Sequence, residues 1–145
     1  MNRAHELVAI LREPARSGLH HLPPDGIDAI AEAARELDFM LVRVDLSGCT
    51  DKAGFLDRIA AALSFPDWFG RNWDALADCL ADLDWLPAAG YAIILEHADR
   101  FRIAAEADFL TALEILDDVA QEWADADVPM WLFVDADGVA RLRRL

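Results

Sequence analysis

The sequence is poor in the residues that mark secreted, membrane or nucleic-acid-binding proteins. Its 145 residues include only two cysteines, Cys49 and Cys79, which are too few for a disulfide framework. Lysine occurs once, at Lys52, and the stretch 103–140 contains neither lysine nor arginine. No apolar run reaches the length of a membrane span, and charged residues interrupt the start of the chain, unlike a signal peptide. We therefore predict a cytoplasmic protein whose Cys79 is a small buried apolar residue.

Acidic residues are what the chain has in excess. Aspartate and glutamate number 27 against 13 lysines and arginines, which gives a formal net charge of −14. This charge argues against nucleic acid or an anionic membrane as partner and favours a basic protein or a cation. Solubility alone is the alternative explanation. With 55% apolar and 28% charged residues, the composition is that of a folded chain, and the length favours one domain.

Buried strands alternate with helices along the sequence. Apolar runs with β-branched residues at 39–46, 91–97 and 129–135 predict strands covered on both faces. Helical spacing predicts helices at 5–13, 27–38, 55–65 and 106–126. The alternation predicts an α/β fold with a small three-stranded parallel sheet and helices packed against it. Residues 17–22 are a candidate fourth, N-terminal edge strand, which the following proline pair keeps short.

The segment "NWDALADCLADL" (72–83) predicts a helix with one unusual face. At 100° per residue, one sector collects the apolar positions that must face the core, namely Trp73, Leu76, Cys79, Leu80 and Leu83. Asp74, Asp78 and Asp82 fall nearly opposite, beside Ala77 and Ala81, and successive carboxylates are about 6 Å apart. We call these three aspartates the acidic stripe. Asn72 stands where it can cap the helix.

The acidic stripe is costly in an isolated helix. Like charges four residues apart repel by about 0.2–0.5 kcal/mol per pair, and aspartate is a mediocre helix former. A plain solvated face is the alternative, but such faces normally mix both signs and use Glu and Lys. Short carboxylates beside alanines, with Trp68 and Phe69 in the preceding loop, instead predict a surface that binds a cationic protein.

The run "FPDWFGRNWDALADCLADL" (65–83) resembles the barstar family, inhibitors of bacterial ribonucleases of the barnase type. The resemblance is carried by a proline, an acid, two aromatics, a glycine, an asparagine and two three-residue groups. These are Pro66, Asp67, Trp68, Phe69, Gly70, Asn72, Asp74-Ala75-Leu76 and Asp78-Cys79-Leu80. It extends over about residues 39 to 135, so we predict a barstar-like domain at 39–145 and an N-terminal helical extension at 1–38.

The resemblance implies a protein inhibitor, not an enzyme, that inserts this helix and its preceding loop into a nuclease active site. It implies that Asp78 occupies the site of a substrate phosphate and that Asp74 meets basic residues of the nuclease. It further implies polar contacts from Asn72 and stacking by Trp68. The predicted partner-binding set is Trp68, Phe69, Gly70, Asn72, Trp73, Asp74, Ala77, Asp78, Asp82 and Asp118, with no catalytic or metal-binding residue and no cofactor.

The chain departs from the family pattern at several of these positions. Compared with the best-known member, Ala77 replaces a bulky aromatic, Trp73 replaces a leucine, and Leu83 replaces an interfacial tryptophan, although Trp85 lies two positions away. Asp118 on the later helix aligns with a further family acid. These differences bear on which basic secreted-type ribonuclease or related nuclease toxin is the target. An acidic module that binds another basic toxin or partner, without ribonuclease inhibition, is the alternative function.

Four other features of the sequence suggest different chemistry. Asp45, near the end of the first core strand, suggests a phosphoacceptor site on a doubly wound sheet, but no lysine partner is evident for it. His20-His21 could ligate a metal, although adjacent histidines in a proline-rich connector are expected to be exposed. The stretch "DADG" (135–138) begins like a calcium loop but lacks its final glutamate, so we predict a turn. His97 has no nucleophile with a motif context beside it.

Overall fold

The computed structural model of the chain describes residues 3–24, 26–139 and 141–145, and its strands form one parallel sheet. The strands are β1 (Gly18–His21), β2 (Met40–Asp45), β3 (Tyr91–Glu96) and β4 (Met130–Val134). Their order across the sheet is β1-β4-β3-β2, and all three pairings are parallel. The predicted α/β fold is confirmed, and β1 is the candidate edge strand.

Six helices surround the sheet in the described residues. They are α1 (Arg3–Leu11), α2 (Ile27–Glu36), α3 (Lys52–Ala62), α4 (Trp73–Asp82), α5 (Asp99–Ala104) and α6 (Glu106–Asp125). Helix α3 begins three residues before the predicted start because Asp51 caps it, its Oδ1 accepting from the Gly54 amide at 2.8 Å. Helix α5 was not predicted. None of these helices is long and apolar enough to cross a membrane.

Helices α1 and α2 cover one face of the sheet. Leu7, Leu11 and Ile30 are fully buried against Trp131 and Phe133 of β4. The Trp131 indole N–H donates to the Leu11 carbonyl at 2.9 Å, which fixes the end of α1 over the sheet. Residues 3–24 and 26–38 thus supply both an edge strand and the cover of this face. Where a domain boundary falls in the chain stays a prediction.

Helices α3 to α6 pack on the opposite face around a larger core. Its central side chains come from the two middle strands and the helices, and include Phe55, Leu80, Ile93, Phe109, Leu116 and Leu132. Both middle strands are buried throughout, apart from Glu96 at the end of β3. Cover on both faces is what their nearly continuous apolar sequences require.

The expectation that the adjacent histidines are exposed is wrong for His20. His20 is only 5% exposed, because β1 places its ring against Trp131, with ring centroids 5.0 Å apart. Burial lowers the pKa of His20 below its ordinary value. Within the described residues no group of three or more His, Cys, Asp or Glu side chains could hold a metal ion.

After β4 the chain turns at Asp137 and Gly138, as predicted, and its last residues return to the sheet. The His21 amide donates to the Arg143 carbonyl at 2.7 Å, and His20 forms a parallel bridge with Arg143. Residues 141–145, which we call the C-terminal tail, therefore run along the outer side of β1.

Candidate functional site

The loop before α4 (residues 65–72) is fixed at its base and exposed at its tip. Phe65 packs edge-on against Phe69 at 4.9 Å and against Trp85 at 6.1 Å between centroids. The Trp85 indole N–H donates to the Leu63 carbonyl at 2.9 Å. Trp68, in contrast, is 65% exposed. Phe69 thus anchors the loop, while Trp68 presents a large apolar surface to solvent.

The turn into α4 is held by three neighbouring residues. Arg71 adopts a positive φ of 55° and forms a salt bridge with Asp57 of α3. The Asn72 Oδ1 accepts from the Ala75 amide at 2.8 Å, so the predicted cap is confirmed. A side chain at Gly70 would crowd the side-chain amide of Asn72, since an added Cβ would lie 3.3 Å from Nδ2. The loop therefore has defined contacts on both sides of Trp68.

Helix α4 presents its acids outward, as its periodicity predicted. Leu76, Cys79 and Leu80 are fully buried, and Leu83 follows them into the core. Cys79 is the small buried apolar residue that the sequence predicted, and its burial raises the pKa of the thiol. Asp74, Asp78 and Asp82 are exposed on the other side of the helix, and Ala77 is half-buried beside them.

Trp73 serves mainly as a support. It is half-buried, with its ring 6.2 Å from that of Phe55 and the Lys52 ammonium 5.0 Å from its own ring centroid. A cation over an indole face is attracted by the ring quadrupole. Lys52 is therefore engaged with Trp73 at the start of α4.

The acidic stripe is not neutralised from within the described part of the chain. None of the salt bridges found there includes Asp74, Asp78 or Asp82. Arg71, the nearest arginine in sequence, is paired with Asp57 instead. The carboxylates thus remain available to an external cation.

The C-terminal end of α4 adds an acid that the sequence analysis missed. Leu83 terminates the helix in a left-handed conformation, with φ of 49°. The Asp84 carboxyl lies in hydrogen-bonding contact with that of Asp82, and this contact and the repulsion between them raise the pKa of Asp84. The negative surface therefore continues beyond the last helical turn. Helical periodicity could not reveal it, because Asp84 lies outside the helix.

Helix α6 flanks α4 and extends the same surface. The Trp123 indole N–H donates to the Leu80 carbonyl at 2.9 Å, which ties the two helices together. A shallow hollow of about 150 Å³ between them is lined by Ala81, Glu122, Trp123 and Ala126. Asp118 is exposed one turn before Glu122, on the same side of α6. The recess between the two helices thus has an aromatic wall and one acid, Glu122 of α6.

Asp45 has local partners that occupy its carboxylate. Its Oδ1 accepts from the Ser47 amide at 2.9 Å and from the Ser47 hydroxyl at 2.7 Å. These hydrogen bonds lower the pKa of Asp45. Lys52, the one lysine in the sequence, lies over Trp73 instead. The structure adds no support for a phosphoacceptor at this position.

Comparison with known proteins agrees with the resemblance seen in the sequence. The family described as Barstar (barnase inhibitor) matches residues 39–135, which include β2 to β4, the loop before α4 and all of α4. No curated protein matches the chain. Because the match covers two thirds of the sequence, this chain belongs to the barstar family.

Proposed function

We propose that this chain inhibits a basic ribonuclease of the barnase type by occupying its active site with α4 and the preceding loop. The family is described as barnase inhibitors, which supports an inhibitor with a nuclease partner, and a role other than enzyme, in general terms. The observation that carries the finer proposal is the acidic stripe. Its three carboxylates are exposed, form no salt bridge within the described residues, and follow the exposed Trp68 in the chain.

In the proposed complex each element has a distinct task. Asp78 takes the place of a substrate phosphate among the cationic groups of the nuclease, and Asp74 and Asp82 pair with basic residues on either side. Trp68 supplies the apolar anchor, as large aromatics do at the centres of protein interfaces. Asn72 and Gly70 shape the turn between them, while Phe69 and Trp73 hold the surface rigid from behind. Asp118 extends the contact from α6.

The alternative is binding to another basic toxin without ribonuclease inhibition. Ala77 supports this alternative, because alanine replaces a bulky aromatic of the best-known family member at a position predicted to meet the partner. Such a replacement accommodates a differently shaped partner. Enzyme inhibition is therefore the measurement that separates the two functions.

The test is a titration of purified barnase-type ribonucleases, and of basic proteins encoded near this chain, with the inhibitor. We expect loss of ribonuclease turnover with an end point at one inhibitor per enzyme. Tight binding to a basic protein with undiminished ribonuclease turnover would support the alternative. Absence of both binding and inhibition across the panel would contradict the proposal.

Salt is expected to slow formation of the complex. Exposed charges are screened over a Debye length of about 8 Å at physiological ionic strength, and steering by opposite charges accelerates association about 10- to 1,000-fold. Stopped-flow association rates measured from low to high salt should therefore fall steeply, with a much smaller change in the dissociation rate. An association rate that is flat with salt would count against electrostatic steering. The barnase–barstar pair is itself the standard example of such steering, so the family supplies this expectation and does not test it.

A further inference from the structure

A crevice lies where β1 and β4 end, far in sequence from the acidic stripe. The chain leaves these two adjacent strands toward opposite faces of the sheet. After β1, Leu22 and Ile27 pack on the α1/α2 face, whereas after β4, Ala136, Val139 and Leu142 pack on the other. The diverging segments enclose a cavity of about 320 Å³.

This position is a topological switch point. In open sheets of parallel strands, ligands bind in the crevice outside the carboxyl ends of strands whose connections diverge, as dinucleotides and FMN do in doubly wound folds. The switch arises here because β1 connects to the far edge strand β2 across one face, while β2, β3 and β4 are connected across the other. The volume falls within the range of small-molecule sites.

The walls of the crevice carry both charges and an apolar surface. His21 and Arg144 supply cationic or hydrogen-bonding groups, and Asp135 and Asp137 supply carboxylates. Pro23 and Pro24 form an apolar wall with no amide donors. A second hollow of about 340 Å³ is also lined by His21 and Arg144, so these two side chains stand between two open spaces.

Arg144 is held at the crevice by its neighbours in the C-terminal tail. On one side the Arg143 carbonyl accepts from the His21 amide, and on the other Leu145 packs against the α1/α2 core. Three of the 13 basic residues of the chain fall within its last five positions. Of these three, Arg144 lines the crevice, whereas the Arg141 guanidinium lies 4.0 Å from the Asp117 carboxylate of α6.

Asp135 and Asp137 are positioned by contacts at the ends of β3 and β4. The Asp135 Oδ2 accepts from the His97 amide at 3.2 Å, and the Asp137 amide donates to the Asp99 Oδ1 at 3.0 Å. Both carboxylates retain an oxygen for which the described residues show no hydrogen bond. Carboxylates at such a crevice accept hydrogen bonds from sugar hydroxyls in nucleotide-binding folds.

We propose that this crevice binds a nucleoside monophosphate, with its phosphate at Arg144 and His21, its ribose hydroxyls toward Asp135 and Asp137, and its base against the Pro23–Pro24 wall. Arginine and histidine donors suit a phosphate, and the separate carboxylates suit hydroxyl donors. The cavity exceeds what inorganic phosphate or a small amino acid fills. The crevice contains no residue of α4, so the inference stands apart from ribonuclease inhibition.

The test is titration of the full-length, isotopically labelled protein with AMP, GMP, CMP and UMP, followed by NMR. Chemical-shift changes are expected to cluster at residues 21–24, 26, 134–138 and 144. Adenosine, ribose 5-phosphate and inorganic phosphate serve as partial ligands and should each bind more weakly than the best nucleotide. If inorganic phosphate binds as tightly as every nucleotide, the crevice is not a nucleotide site. Tighter binding of free amino acids, titrated in the same way, would lead to the same conclusion. The absence of shifts in the crevice at millimolar nucleotide would overturn the site.

Two variants locate the groups that bind. Arg144→Ala removes a charged hydrogen-bond donor and should weaken nucleotide binding about tenfold or more. Arg35→Ala is the matched control, because Arg35 is exposed in the last turn of α2 and should leave binding unchanged. Asp137→Asn should weaken the nucleotide but not inorganic phosphate. An equal loss of nucleotide affinity in Arg144→Ala and Arg35→Ala would show that only the net charge matters. It would overturn the assignment of the phosphate to Arg144.

Discussion

Replacing Asp78 by alanine is expected to abolish tight binding to the target ribonuclease without destabilising the free inhibitor. In the proposed complex, Asp78 is buried among cationic groups of the nuclease, and its removal leaves those groups unpaired. Breaking a buried ion pair in this way costs about 3–5 kcal/mol, which is on the order of a 10²- to 10⁴-fold increase in Kd. Calorimetry or inhibition titration of wild type and variant measures this change.

The same substitution should leave the free protein at least as stable as the wild type. Asp78 is exposed and unpaired within the described residues, and it faces Asp74 and Asp82 one turn away on either side. Alanine relieves about 0.2–0.5 kcal/mol of repulsion per pair and is a better helix former than aspartate. Denaturant unfolding should therefore show an equal or higher midpoint. A large loss of stability would mean that Asp78 supports the fold rather than the interface.

Glu32→Ala is the matched control for charge. Glu32 is exposed on α2, on the opposite face of the sheet from α4, and its removal changes the net charge by the same amount. We expect the control to alter Kd by less than about threefold, through long-range screening alone. If both variants weaken binding equally, or if Asp78→Ala has no effect, the role assigned to Asp78 is refuted.

Trp131→Ala is expected to cause the largest loss of stability among the substitutions considered. Trp131 is fully buried in β4, stacks on Phe133 with ring centroids 5.8 Å apart, and donates to the Leu11 carbonyl. Truncating a buried aromatic to alanine costs about 3–5 kcal/mol, because apolar contacts are lost and a cavity remains. Denaturant unfolding followed by circular dichroism measures the change in the free energy of unfolding.

Trp131→Phe measures the contribution of the indole hydrogen bond to stability separately from that of the ring's volume. Phenylalanine retains much of the apolar contact but leaves the Leu11 carbonyl without its donor, a cost of about 1–3 kcal/mol when that group stays buried. We expect an intermediate loss and a reduced protection of α1 in hydrogen exchange. If Trp131→Ala costs less than about 1 kcal/mol, then α1 does not pack on the sheet as described.

The sequence predicts the parts of this fold that follow from periodicity and burial. The strands at β2, β3 and β4 carry nearly continuous apolar runs, and α6 shows a long apolar stripe, so each was located to within a few residues. The start of α3 was misplaced because the Asp51 cap lies within a segment of turn-forming residues. Helix α5 was missed because six residues are too few to show a helical period.

The candidate functional surface was predictable only where it lies on one element. The acidic stripe follows from residues four apart on α4, and its exposure agrees with that pattern. The partners that keep it free, such as Asp57 for Arg71 and Trp73 for Lys52, depend on contacts between elements. The crevice is still less accessible to sequence reasoning, since His21 and Asp135 are over a hundred positions apart. Their meeting requires the parallel pairing of β1 with β4.

The C-terminal tail also covers part of the outer edge of β1. A bare strand edge offers free N–H and C=O groups to a neighbouring molecule and can seed aggregation. The His21 amide on the outer side of β1 is already occupied by Arg143. On the opposite edge, Arg43 and Asp45 are exposed, so an incoming strand would have to desolvate two charges. Deleting the last five residues is thus expected to expose the outer edge of β1 and to make the protein more prone to aggregation.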